Sequence, residues 1–233
     1  MSRPAVCGAV VVMAKAPREG FVKTRLAGAY APRDVVRLSE CMLRDTVALV
    51  QALSRVQVAV MCPSEDVADI GARLPEGVQV VGQRGDGLAA ALVSVFERFV
   101  PDFRRVVAVD SDSPHLPLAI LESVFELLET NDVVVGPTED GGYYLVGASA
   151  THPRIFDSAP LGTRNARDAL LGNARTLGVS VAFTAPWYDV DVPADLRRLA
   201  AELRTEPARA PRTAGLLASW RPGSEAHDDD RAG

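Results

Sequence analysis

Arg105-Val-Val-Ala-Val-Asp-Ser-Asp-Ser-Pro-His-Leu-Pro117 is the stretch whose reading decides the fold. Val106 to Val109 form a short, unbroken apolar run of the kind buried on both faces of a sheet. The run stops at Asp110-Ser111-Asp112, and Pro114 and Pro117 block its continuation. Two carboxylates therefore stand at the carboxyl end of a central strand, where open α/β sheets keep their ligands. Hard oxygens in such a crevice suit Mg²⁺ or Mn²⁺, and those ions suit a nucleotide's phosphates. A turn with helix-capping polar residues explains the same positions equally well, so the rest of the chain has to decide.

Outward from this stretch, strand and helix signals alternate almost from end to end. Residues 6–13, 56–61, 78–81, 132–135 and 179–184 read as strands. Pro32 can open a helix in which Val35, Leu38, Met42, Leu49 and Leu53 share one face. Further helices are expected over 66–74, 88–99, 118–128 and 167–177, with a last one ending near 204. The Gly-rich turn at 139–142 feeds an aromatic strand expected to run antiparallel to its neighbours. The pattern predicts a three-layer α/β/α domain over residues 1–204 with a mostly parallel, mixed sheet. Residues 205–233 are rich in Pro, Arg, Gly and Asp and are expected to form a disordered tail.

The totals narrow the function. A net charge of -5 argues against a nucleic-acid binder, whose affinity would rest on phosphate neutralisation. Cys7, Cys41 and Cys62 are scattered in apolar surroundings, as small core residues of a reducing compartment are. No apolar run approaches the length of a membrane span, and the apolar start runs into Lys15, Pro17 and Arg18 without a cleavage site. The expectation is a soluble cytoplasmic protein; its oligomeric state is not legible.

Four constellations could carry chemistry. Lys15, Arg18, Lys23 and Arg25 crowd the loop after the first strand, on the same sheet edge as Asp112, where they could hold phosphates. A solvated surface loop would look the same. Asp189 and Asp191 precede the last helix, whose start is explained by Pro193 and Asp195 without them. Asp191 could cap that helix, or face Asp112 across a cleft and share a divalent cation with it. Glu139-Asp140-Gly141-Gly142 sets carboxylates beside backbone bare of side chains, which suits either close ligand approach or a hairpin turn. His115 is a lone histidine. There is no P-loop, no nucleophile elbow and no dinucleotide fingerprint.

Taken together, Ala14-Lys-Ala-Pro17, Val22-Lys-Thr-Arg-Leu26, Asp112-Ser-Pro-His-Leu-Pro117, Glu139-Asp-Gly-Gly-Tyr-Tyr-Leu-Val-Gly147 and Tyr188-Asp-Val-Asp-Val-Pro-Ala-Asp-Leu196 resemble one family. It is the bacterial family of provisionally assigned glycosyltransferases encoded beside radical-SAM/selenodomain proteins. That family belongs to the nucleotide-diphospho-sugar transferase superfamily, with the GT-A fold. Lys23-Thr-Arg-Leu26, Gly87-Leu-Ala-Ala-Ala-Leu92 and Asp189 to Leu196 also resemble phospholactate guanylyltransferase.

The resemblance implies a transferase with Mg²⁺ or Mn²⁺ on Asp112 and Asp191. Asp110 stands where the family usually has glycine, as a possible third ligand by its D-x-D spacing. Lys15, Arg18, Lys23, Arg25, Asp86 and Gly87 would bind the nucleotide, with Lys23 and Asp140 nearest the chemistry. Glu139, Gly141 and Gly142 would lie on the acceptor side. The leading expectation is glycosyl transfer from a nucleotide-diphospho-sugar to a small acceptor. The alternative is nucleotidyl transfer from an NTP to a small phosphate or phosphonate, releasing pyrophosphate. Val192 replaces a usual threonine, removing a helix cap that is worth about 1 kcal/mol.

Overall fold

The protein is described by a computed structural model covering residues 6, 8–157 and 165–220. Seven strands form one sheet: β1 (Gly8–Met13), β2 (Val56–Cys62), β3 (Gln79–Gly82), β4 (Val106–Asp110), β5 (Val133–Pro137), β6 (Tyr143–Ala148) and β7 (Val181–Phe183). Their order is β3-β2-β1-β4-β6-β5-β7. All pairings are parallel except those of β6, which runs antiparallel to both β4 and β5. The aromatic strand thus breaks the parallel pattern as its Gly-rich lead-in predicts. Val106, Val107, Ala108 and Val109 of β4 are all buried, the burial expected of a central strand covered on both faces.

Helices cover both faces. They are α1 (Pro32–Gln51), α2 (Val67–Arg73), α3 (Gly87–Phe99), α4 (Leu118–Leu127), α5 (Ala166–Leu177), α6 (Pro193–Thr205) and α7 (Pro211–Ser219). The sheet divides the interior into two cores. Val10, Val12 and Val107 join Leu43, Val47, Leu121 and Val124 on the α1/α4 side. Ala9, Val11 and Val106 join Val95, Phe96, Leu170 and Ala174 on the α3/α5 side. The α4 layer lies close: a Cβ on Gly8 would come within 2.6 Å of the Phe125 ring.

A third core corrects the sequence reading of the C-terminal segment. Residues 207–209 form a 3-10 turn and 211–219 form α7, which packs against α1. Leu216 and Ala210 join Val35, Leu38 and Met42 of α1 and Leu196, Leu199 and Leu203 of α6. α1 therefore has two buried faces, and the second needs a partner. Docking is also polar, because the fully buried Asp45 side chain accepts the Thr213 N–H at 2.8 Å and the Arg212 N–H at 3.2 Å. A carboxylate at the positive end of a helix satisfies donors the helix itself leaves unpaired. Tyr30 and Trp220 pack against the same core, their rings tilted by 33° with centroids 5.1 Å apart. Residues 221–233 of the expected tail lie outside the described residues, as does Cys7. Cys41 and Cys62 are free thiols, half-buried and buried.

Candidate active site

Three segments converge beyond the carboxyl ends of the parallel strands. The loop after β1 forms one wall, Asp110 to Asp112 at the end of β4 form the floor, and residues 187–191 before α6 form the other wall. Backbone bonds fix the last two together. Val190 donates its N–H to the Asp112 carbonyl at 3.0 Å. The Ser113 hydroxyl lies 3.0 Å from both the Tyr188 carbonyl and Asp189 Oδ1. The site sits between β1 and β4, from which the chain runs to opposite halves of the sheet, the switch point at which such folds bind ligands. Its cleft measures about 990 Å³, ample for a nucleotide and a small acceptor.

Lys23 is the centre of the charge arrangement. Its ammonium lies 2.7 Å from Asp112 Oδ1 and 3.0 Å from Asp191 Oδ1, and its side chain is only 5% exposed. The two aspartates do face each other across the cleft, and a cation joins them. Burial by itself would pull the Lys23 pKa down; Asp112 and Asp191 outweigh it and hold the ammonium above the ordinary lysine range. Lys23 has a left-handed backbone (φ 46°), uncommon for a residue with a side chain. Arg25 reaches Asp191 only at 3.9 Å and is largely exposed. Asp191 does not cap α6. That N-cap residue is Val192, and Asp195 Oδ2 accepts the N–H groups of Asp191 and Val192 at 3.0 and 2.9 Å.

Asp110 has a different role from Asp112. Its carboxyl accepts the Asp112 N–H at 3.0 Å and is hydrogen-bonded to Asp189. Burial first, then the charges of Asp189 and Asp112, push Asp110 well above the usual carboxylate range. Burial, followed by the Asp112 charge, raises Asp189 to about 6. Two carboxyls at hydrogen-bonding distance share a proton more readily than they both ionise. Asp189, without a role in the sequence reading beyond its place next to Asp191, is thus the partner of Asp110. The only available signal was its spacing of two from Asp191.

The remaining expected residues separate into two groups. Lys15, Arg25, Asp86, Gly87, Asp140 and Gly142 line the cleft, as do Phe21, Gln83 and Thr138, which the sequence did not single out. Arg18 does not. It turns to Asp66 at 2.7 Å and Asp69 at 3.4 Å, while Asp66 also accepts the Ala16 N–H. A largely buried carboxylate attracts the guanidinium more strongly than an open cleft does. Glu139 also faces away, in a two-pronged pair with Arg198 at 2.8 and 3.2 Å, and Gly141 is not among the lining residues. Asp140 Oδ1 accepts the Thr138 hydroxyl at 2.6 Å and the Gly142 N–H at 3.3 Å, shaping the turn from the cleft wall. His115 is fully buried against Trp187 and Tyr188, whose rings also contact each other. Burial, then Arg209 and Arg198, push its pKa down to about 3, so it stays neutral.

The donor set bears on the divalent cation that the sequence resemblance implies. One point lies within 3.0 Å of oxygens from both Asp112 and Asp191, since the Lys23 nitrogen occupies it. Among the described residues no group of three or more His, Cys, Asp or Glu side chains is arranged to hold a metal. Two carboxylates fit an Mg²⁺-like ion that completes its shell with phosphates and water, not one caged by protein alone.

Known proteins bear the same architecture. A provisionally named nucleotide-diphospho-sugar transferase from Desulfovibrio desulfuricans G20 superposes with a TM-score of 0.83 at 24% identity, covering 91% of this chain and 94% of that one. CMP:2-keto-3-deoxy-manno-octonic acid synthetase, solved with CTP, matches with a TM-score of 0.57 at 12% identity over 86% and 99% of the two chains. Rv0371c from Mycobacterium tuberculosis H37Rv, solved with manganese, matches with a TM-score of 0.53 at 21% identity over 84% and 98%. In sequence, the chain is 30% identical over 122 residues to 2-phospho-L-lactate guanylyltransferase from Methanothermobacter thermautotrophicus strain Delta H. That alignment spans 52% of this chain and 53% of the relative, about half of each. Residues 46–163, just over half of the chain, match the family described as an uncharacterized protein conserved in bacteria (DUF2064), and the protein belongs to that family.

Proposed function

We propose that the protein is a divalent-metal-dependent nucleotidyltransferase, joining an NMP from an NTP to a small phosphate or phosphonate acceptor. One observation carries the reading: a single cleft at the switch point sets Lys15, Lys23 and Arg25 against Asp112 and Asp191. An acceptor that is already an anion needs no general base, only positioning and charge stabilisation. Its oxygen attacks the α-phosphorus, the α–β bridging P–O bond breaks, and pyrophosphate leaves with that bond's electrons. Lys15 and Arg25 are set to hold the phosphates, Lys15 as a point charge and Arg25 as a fork. Asp112 and Asp191 would hold Mg²⁺ or Mn²⁺, which when bound offsets phosphate charge and polarises a phosphoryl oxygen. The guanylyltransferase relative and the CTP-bound synthetase support this reading, and the manganese-bound Rv0371c supports the metal.

Glycosyl transfer from a nucleotide-diphospho-sugar is the second reading. It is favoured by Asp140, a carboxylate on the cleft wall that could serve as a base, and by the name of the Desulfovibrio neighbour. Incubation with Mg²⁺ or Mn²⁺, a panel of NTPs and nucleotide sugars, and a metabolite extract separates the two. Pyrophosphate from an NTP is expected. Nucleoside diphosphate released from a nucleotide sugar instead would overturn the first reading in favour of the second.

A further inference from the structure

We infer that the Lys23 ammonium holds the cation seat between Asp112 and Asp191 until a nucleotide's phosphates draw it away, so that divalent metal enters with the nucleotide and not before it. The inference rests on the reading of this cleft as a nucleotide site with metal on those two aspartates.

Lys23 Nζ contacts one oxygen of each aspartate, at 2.7 and 3.0 Å. Ca²⁺ and Mg²⁺ bind carboxylate oxygens at about 2.0–2.6 Å, so a metal bridging the same two oxygens on the side that Lys23 occupies would overlap the ammonium. The two cations cannot share the seat. With Lys23 in place the three groups carry a net charge of −1; without it the aspartates carry −2, a far better match for a dication. Both aspartates are about two-fifths exposed, so solvent and ions can reach them once the lysine moves, whereas the lysine is 5% exposed. An ammonium that leaves two carboxylates needs another anion close by, and the cleft it lines would offer phosphates. Nucleotide would then raise metal affinity, and metal would raise nucleotide affinity by the same factor. A lysine that also grips the phosphates after moving explains why a buried, paired cation stands in the loop where free cations are expected.

The test is Mn²⁺ binding, followed by the EPR signal of the free ion, on the full chain with and without non-hydrolysable NTP analogues. Wild type is expected to bind Mn²⁺ weakly alone and at least about 10-fold more tightly with a bound analogue. Lys23→Gln and Lys23→Met, checked for folding by circular dichroism, are expected to bind Mn²⁺ at least about 10-fold more tightly than wild type without nucleotide. Adding Asp112→Asn to Lys23→Gln should abolish that gain. Nucleotide-dependent binding in wild type with no gain in either Lys23 variant overturns the inference alone. Absence of Mn²⁺ binding under every condition overturns the metal reading beneath it as well.

Discussion

Replacing Asp110 by asparagine is expected to stabilise the metal-free protein at neutral pH. The substitution removes one charge from a pair of carboxyls that the fold holds together. Burial and the neighbouring charges raise Asp110, and burial with Asp112 raises Asp189 to about 6 from an ordinary 3.8. Below pH 3.8 both groups are protonated in the folded and unfolded chain, and they cost nothing. Between 3.8 and about 6 the unfolded chain releases protons that the folded pair retains, so stability falls as pH rises through that window. Above it the folded state bears the full cost of ionising Asp189. At about 1.36 kcal/mol per pH unit, one carboxyl held at about 6 costs about 3 kcal/mol. The asparagine amide oxygen still accepts the Asp112 N–H, and its amide N–H can donate to Asp189. The substitution leaves the burial of Asp189 and its Asp112 neighbour in place and removes instead the cost of ionising Asp110, which burial, Asp189 and Asp112 raise. A gain of about 1–3 kcal/mol at pH 7.5 that vanishes towards pH 4 is expected. Urea denaturation in EDTA measures it; a slope of about 2–3 kcal/mol/M turns the gain into a midpoint rise of about 0.3–1.5 M. A loss of stability, or a gain equal at pH 4 and 7.5, would refute the proton-sharing pair.

Four further outcomes follow from the same contacts. Asp45→Ala strips the buried acceptor from the start of α7 and should cost about 2–4 kcal/mol; proteolytic cleavage within 205–220 should accelerate, and unchanged protection would count against the docked helix. Asp112→Ala should lower pyrophosphate release by about 100-fold or more, beyond what losing an outer-shell partner costs, with the circular dichroism spectrum unchanged; retained turnover would remove Asp112 from the chemistry. Arg18→Ala should lower stability by about 1–2 kcal/mol and leave nucleotide affinity alone, because its partners are Asp66 and Asp69. Arg25→Ala should do the reverse, and calorimetric titration of each variant with NTP distinguishes them.

What the sequence revealed, and what it hid, follows from the range of the interactions. Strands such as β4 and β6 are legible because their burial is written in local patterns, an apolar run for one and a Gly-rich turn before aromatics for the other. The floor of the cleft is legible for the same reason, since a strand end and a loop after β1 must meet at one sheet edge. Partner choice is not local. Arg18 and Lys23 carry the same charge in the same loop, yet one pairs with Asp66 and the other with Asp191, 168 residues away. Glu139 and Asp140 are adjacent, and only the second lines the cleft.

The C-terminal segment makes the same point in the opposite direction. A composition poor in apolar residues reads as disorder when hydrophobic burial is the only stabilising term considered. Here polar residues do much of the docking: Asp45 receives the start of α7, and Arg209 donates to the His115 carbonyl at 2.6 Å. His115 lies three residues beyond Asp112, and Val190 and Tyr188 bond to the same loop through Asp112 and Ser113. The segment beyond residue 204 therefore braces the loop that carries a proposed metal ligand. Its charged residues, the very feature that reads as disorder in sequence, supply the bonds by which it does so.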